Sequence, residues 1–280
     1  MVSALAQADF SVSPPRHPTL AWAELAPLIE AAAQAERSRI VPPRPDLPVD
    51  PLAQRLTSAQ ARGISTIRDR ALVLRAEAAR KVAAGDFDSA ADALIAIVEL
   101  ARGLSVWGVP SASEASASLI DLVLDALELP GSAPVLRVLS PDARSRLRGS
   151  LASLGTRDPA GRVRAMIESS SARIGAMRSR AMGVDGPSAV FDVAGRYRPG
   201  AVRATPFDIE RLIGEAEAFS VALGDSWDRP MRSAVSKRLH DRQREDETGL
   251  LLVLMGHAPE ACEADAALRA RIGEAVKALR

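Results

Sequence analysis

Apolar residues recur every three to four positions along most of this chain, and the recurrence is repeatedly halted at glycine or proline. Leu52, Leu56, Ala59, Gly63, Ile67, Leu74, Ala78 and Val82 fall on one stripe, which predicts a long helix ended by Gly85. Asp86 is placed to cap a second helix, with Phe87, Ala90, Leu94, Ile97, Val98 and Ala101 on its stripe and Gly103 as its stop. So short a turn makes the pair an antiparallel hairpin. Ser111 and Glu114 have capping-box spacing ahead of Leu119, Ile120, Val123, Leu124 and Leu127, and Pro130-Gly131 closes that helix.

Two further stripes follow, Leu147, Leu151 and Leu154, then Val163, Met166, Ile167, Ile174 and Met177. Beyond residue 204, Ile209, Leu212, Ile213, Phe219 and Leu223 form another. A Gly224-Asp225 turn leads to Trp227 and to a helix through Met231, Val235 and Leu239. Leu250 to Met255 is apolar all round and is expected to be buried. The last helix begins near Pro259 and carries Cys262, Leu268, Ile272, Val276 and Leu279.

The helix starts share a grammar. A short polar residue precedes proline at Asp50-Pro51, Ser140-Pro141, Asp158-Pro159 and Thr205-Pro206, where the side chain can accept first-turn N–H groups and the proline has none to leave unpaired. Gly85, Gly103, Gly155, Gly183 and Gly224 are the expected stops. The fold class is therefore all-α, with antiparallel helical hairpins arranged as an array or bundle in two packed helical regions. Residues 1–19 read as a disordered tail, with Pro14-Pro15-Arg16-His17-Pro18 extended. Residues 20–182 read as a helical domain, in which Trp22, Leu25 and Ile29 keep helical period around Pro27 before the five prolines of residues 42–51 stiffen the chain. Residues 183–204 show no period and read as an irregular linker or loop; residues 205–280 read as a C-terminal helical subdomain.

Ala83-Ala84-Gly85-Asp86-Phe87-Asp88-Ser89-Ala90 resembles the turn and second-helix start of a tetratricopeptide repeat. The resemblance covers one unit, about residues 64–101. Leu74 stands where that family has a tryptophan, and Glu77 and Lys81 stand where it has apolar and aromatic residues. No second copy follows at the repeat period, and Gly224-Asp225-Ser226-Trp227 echoes only the turn. What the resemblance implies is a scaffold that binds a peptide or protein in a helical groove.

Composition sharpens the core. The chain is 47% hydrophobic but only 3% aromatic, so helices must pack closely over Ala, Leu, Val and Ile. The single cysteine, Cys262, excludes an intrachain disulfide and a multi-cysteine metal cluster. No run reaches the ~18 apolar residues that span a bilayer, which predicts a soluble protein without a transmembrane segment. Ala4-Leu5-Ala6 has the small-x-small form of a signal-peptidase site without the preceding basic and apolar regions. The compartment is left open: cytoplasmic as the sequence stands, periplasmic or secreted if those residues are the remnant of a signal peptide.

Charge is uneven. Residues 137–203 carry 13 basic and 5 acidic side chains, against 12 and 16 before them and 11 and 14 after. Arg137, Arg144, Arg148, Arg162, Arg173 and Arg180 are the candidate anion-binding residues of this basic stretch. Arginines that border an apolar stripe also serve to cover the core or to pair with acidic neighbours. On the helix after Pro159 the side away from the stripe is small, with Ala165, Ser169, Ala172, Ala176 and Ser179, which allows homodimerisation through an alanine-rich face. The segment 228–247 mixes basic and acidic residues to near zero net charge and reads as a solvated helix face.

Catalytic material is sparse. The histidines are His17, His240 and His257. Pro259 separates His257 from the helix that holds Glu260, Cys262 and Glu263, while His240 and Asp241 diverge as helical neighbours. There is no glycine-rich phosphate loop and no paired-histidine zinc motif. The sequence assigns no catalytic, cofactor-binding or metal-binding residue and no cofactor. It points to a non-enzymatic helical interaction or scaffold protein with an unknown protein or peptide partner. Nucleic-acid or other polyanion binding through residues 137–203 is the alternative, weakened by the scarcity of aromatics to stack on bases.

Overall fold

A computed structural model describes residues 58–128, 138–155, 157–182, 204–226 and 229–280. The expectations for residues 1–57, for Pro130-Gly131, for Gly183 and for the linker 183–203 lie outside these. The described elements are α1 (Ser58–Ala83), α2 (Phe87–Ser105), α3 (Pro110–Glu128), α4 (Pro141–Ser153), α5 (Arg162–Ala181), α6 (Pro206–Asp225), α7 (Arg229–Glu245), α8 (Leu250–Met255) and α9 (Ala258–Ala278). No strand occurs among the described residues.

The α1–α2 hairpin forms where its sequence places it. Gly85 turns at φ +78°, a conformation costly for any residue with a Cβ. Asp86 then accepts Ser89 N–H through Oδ1 at 3.3 Å and Lys81 Nζ through Oδ2 at 2.8 Å, tying both helices to the turn. Ser140 caps α4, its hydroxyl accepting Ala143 N–H, with Pro141 in the first turn. Thr205 caps α6 in a reciprocal box with Asp208.

Three starts and stops differ from expectation. Gly103 does not end α2, which continues to Ser105, because the flanking Leu100, Ala101 and Leu104 are fully buried and hold that turn helical. Helix α3 opens at Pro110, so Ser111 lies inside its first turn and the Ser111–Glu114 box does not form; Glu114 instead accepts a bidentate pair from Arg162 of α5 at 3.0 and 2.8 Å. Asp158-Pro159 does not begin a helix directly. Asp158 sits at φ +55° and the chain makes one more turn, through Gly161, before α5 starts at Arg162. A Cβ on Gly161 would lie 2.0 Å from the carbonyl oxygen of Ser105, so α2 and this turn touch backbone to backbone.

Two apolar clusters result. In the first, α2 lies among α1, α3 and α4, with Ile97, Leu104, Ile120, Leu124, Leu147 and Leu151 at its centre. In the second, α5 lies among α6, α8 and α9, around Val163, Met177, Leu212, Ile213, Leu251 and Leu254. The partition of the cores does not follow residues 183–204, since Val163 to Met177 pack with the residues after that segment. Helix α9 belongs to both: Ala258 and Cys262 enter the second cluster, and Leu268, Ile272, Ala275 and Leu279 enter the first. Arg271 fixes the crossing by donating to Asp121 and Asp125 of α3 at 2.6 and 2.8 Å.

This arrangement explains the small residues of α5. Ala165 and Ser169, on the side away from its apolar stripe, are buried too, because neighbouring helices surround α5; Ala172 on the same side is exposed. No helix among the described residues is long and apolar enough to cross a membrane.

Candidate functional site

The six arginines of the basic stretch do not share one environment. Arg137 lies outside the described residues, as does the side chain of Arg180. Arg144 and Arg148 are half-buried on α4, and Arg144 Nη2 reaches the carbonyl of Leu139 at 3.5 Å. Arg162 is committed to Glu114, whose hydrogen bonds raise its pKa against the effect of burial. Arg173 turns inward: Nη1 lies 3.4 Å from the carbonyls of Val253 and Leu254, and Nη2 donates to Ser169 Oγ at 2.7 Å. That guanidinium completes the C-terminal end of α8, where carbonyls without intrahelical partners favour a cation.

Helix α6 presents a different surface. Its inner face, Ile209, Leu212, Ile213, Ala216, Phe219 and Leu223, is buried. Its outer face carries Phe207, Gly214 and Val221 at seven-residue spacing, with Ala218 beside them. Phe207 is 76% and Val221 63% exposed, and nothing lies within 4 Å of a Cβ built on Gly214. Seven-residue spacing keeps side chains in a line along a helix, about 21 Å from first to last. The apolar stripe of the sequence follows the buried face, and the outer row adds only two large apolar residues, Phe207 and Val221, fourteen positions apart.

The most unusual group lies between α7 and α9. The inward row of α7 is Arg232, Ser236, Leu239 and Gln243, so three of its four buried residues are polar. The 228–247 segment is thus not simply a solvated face. Arg232 is 2% and Asp265 1% exposed; Arg232 Nη1 donates to Asp265 Oδ2 at 2.8 Å and Nε to the Ser226 carbonyl at 2.9 Å. Arg269, one turn further along α9, brings Nε to 2.9 Å from the same Oδ2. One carboxylate therefore serves two guanidiniums, while Asp265 Oδ1 is buried with no hydrogen-bond partner among the described residues. Burial raises the Asp265 carboxyl to about 6, against the pull of Arg269 and Arg232, so it is ionised at neutral pH.

Two further polar contacts hold α7. Ser236 Oγ donates to the Pro259 carbonyl at 3.4 Å and Gln243 Nε2 to the Gly256 carbonyl at 2.9 Å. Cys262 lies between Pro259 and Asp265 on the side of α9 that faces α7; burial pushes its thiol up to about 11, which makes it a poor nucleophile or metal ligand. His257 is exposed, 3.6 Å from Glu260, and does not meet Cys262 in a cluster; no group of metal-ligating side chains occurs among the described residues.

The class these features define is an all-α protein of packed helical hairpins with an exposed helix row and a buried ionic seam. Comparison of the chain with protein families, with curated proteins and with solved structures returned no match.

Proposed function

We propose that the protein is a non-enzymatic interaction or scaffold protein whose α6 outer row receives an amphipathic helix of a protein partner. The observation that carries this reading is the exposed line of Phe207, Gly214 and Val221. Large apolar residues aligned at helical repeat spacing suit a second helix laid along them, and a central glycine lets the backbones approach. The hairpin of α1 and α2, with its tetratricopeptide-like turn, supports the same class of function by analogy of architecture. The polyanion reading is less favoured, because Arg162 and Arg173 are spent on internal acceptors.

The test is affinity capture from lysate of the native organism, with and without nuclease, comparing wild type with Phe207→Glu and Val221→Glu. A protein retained by wild type under nuclease and lost by both variants is the expected result. Capture of nucleic acid alone, abolished by nuclease and untouched by the α6 changes, would overturn the reading in favour of the basic stretch.

A further inference from the structure

The N-terminal half of α7 is held differently from every packed helix around it. Among the described side chains of residues 230–238 the buried ones are Arg232 and Ser236, with Val235 half-buried; the first fully buried apolar residue described on α7 is Leu239. By contrast α2 buries ten apolar residues. Elements with few buried apolar contacts are the ones that open locally below the cost of global unfolding.

Opening this segment would normally be opposed by the buried carboxylate it leaves behind, since an ionised group stripped of its counterion is costly. Here that opposition is relieved. Arg269 stands on α9 itself, 2.9 Å from Asp265 Oδ2, and stays with Asp265 when Arg232 departs. Asp265 Oδ1 is an additional acceptor toward which Arg269 can shift. Arg232, once outside, regains water. In the closed state two cations share one oxygen and repel each other, so Arg269 also weakens the hold of Arg232.

The far end of α7 is built to stay. Asp246 Oδ1 accepts Thr248 N–H and Oγ1–H at 3.0 and 2.6 Å, and its Oδ2 accepts Leu251 N–H at 2.8 Å, joining the end of α7 to α8. Arg242 adds a bidentate pair to Glu215 of α6 at 2.7 and 3.1 Å.

We propose that Arg232, Asp265 and Arg269 form an ionic latch, from which the N-terminal half of α7 opens locally as a lid, releasing Asp265 and the Ser226 carbonyl while the C-terminal end of α7 stays fixed, and uncovering the Pro259–Cys262–Asp265 face of α9. The closed lid buries Cys262, and the open one exposes it. The device is independent of the α6 surface.

Cys262 is the sole cysteine, so thiol labelling of the full chain reports this face directly. Labelling with an aromatic disulfide reagent under native conditions, in the regime where reclosing outpaces reaction, gives the opening equilibrium. Wild type is expected to label through an opening at least tenfold more populated than global unfolding, with weak urea dependence. Arg269→Met removes the competing cation and is expected to slow native-state labelling at least tenfold. A merely structural Arg269 would give the opposite sign, because destabilisation speeds labelling. Arg232→Met is expected to speed it at least tenfold with helicity retained. Hydrogen exchange needs no variant: amides of residues 233–238 are expected to exchange well before those of residues 262–275. Labelling that shares the population and urea dependence of global unfolding, labelling unchanged or faster in Arg269→Met, or equal protection of the two amide groups would overturn the latch.

Discussion

Asp158 offers a separable test of how the chain enters α5. It is the one non-glycine residue at positive φ among the described residues, at +55°, and its two carboxylate oxygens accept Val163 N–H at 3.0 Å and Arg164 N–H at 2.8 Å. Its own carbonyl accepts Gly161 N–H at 3.0 Å, closing the turn that lies against Ser105. Two costs are therefore superposed. Loss of a capping side chain costs ~1–2 kcal/mol, and holding a residue with an ordinary Cβ in the left-handed region costs ~1–2 kcal/mol. Asparagine tolerates that region and keeps one acceptor, so Asp158→Asn should cost about 0.5–1 kcal/mol. Asp158→Gly loses both bonds and relaxes the backbone, for about 1–1.5 kcal/mol. Asp158→Ala loses the bonds and also meets the full left-handed cost that aspartate partly offsets through its local hydrogen bonds, for about 2–3 kcal/mol. The assay is urea unfolding at pH 7 followed by far-ultraviolet circular dichroism, with the midpoint compared at constant slope. An alanine variant no less stable than the glycine variant would refute the assignment of strain to this residue.

Three other outcomes are expected. Gly161→Ala places a Cβ 2.0 Å from the Ser105 carbonyl at φ +73°, and should cost roughly 2–5 kcal/mol from strain and overpacking together; a loss under ~1 kcal/mol in the same urea assay would contradict the close approach of α2. Ile272→Ala empties part of the first cluster and should cost ~2–5 kcal/mol, with coincident far- and near-ultraviolet circular dichroism transitions as the check that α9 couples the two clusters. Hydrogen bonds from Lys81 and Ser89 hold Asp86 below the usual carboxylate range; those from Ser140 do the same for Asp88, and those from Thr205 for Asp208. Their folded pKa values lie below the unfolded ones, so their contribution is complete above about pH 4 and is lost as pH falls through the folded values. The triple Asp→Asn variant should accordingly lose less stability than wild type between about pH 4 and pH 2, and identical losses would remove these carboxylates as the cause.

What the sequence made legible was local. A cap such as Ser140 or Asp86 acts within three residues, so its meaning is contained in a short window, and the starts of α2, α4 and α6 follow from it. Gly103 and Asp158 show where a window fails. Gly103 is overruled by Leu100 and Leu104, whose burial depends on helices distant in sequence, and Asp158 is displaced from α5 by a turn that exists to meet Ser105. The buried ion pair was illegible for the same reason. Arg232 and Asp265 are 33 residues apart, and the segment around Arg232 has the mixed charge of a solvated helix. The helical period did carry one signal for it: Arg232, Ser236, Leu239 and Gln243 lie within about 60° of arc at 100° per residue, a row in which leucine alone announced an inner face.

The division of labour between apolar and charged contacts follows from how α9 is used. Its first half ends one core and its second half completes the other, so neither cluster is closed until α9 has been placed across both. Apolar burial is non-directional and would accept a range of crossing angles. Charged hydrogen bonds are directional, and they lie where the angle must be set: Arg271 on Asp121 and Asp125 at one end of α9, Arg232 on Asp265 toward the other, and Arg162 on Glu114 where α5 meets α3. Arg271 and Arg162 pair with partly solvated carboxylates and fix orientation at little desolvation cost. Arg232 and Asp265 are fully withdrawn from water, where a pair is a poor source of net stability compared with the leucines that would fit there. A second arginine, Arg269, already stands by the same oxygen, so the proposed latch can open α7 from α9 without leaving Asp265 unpaired.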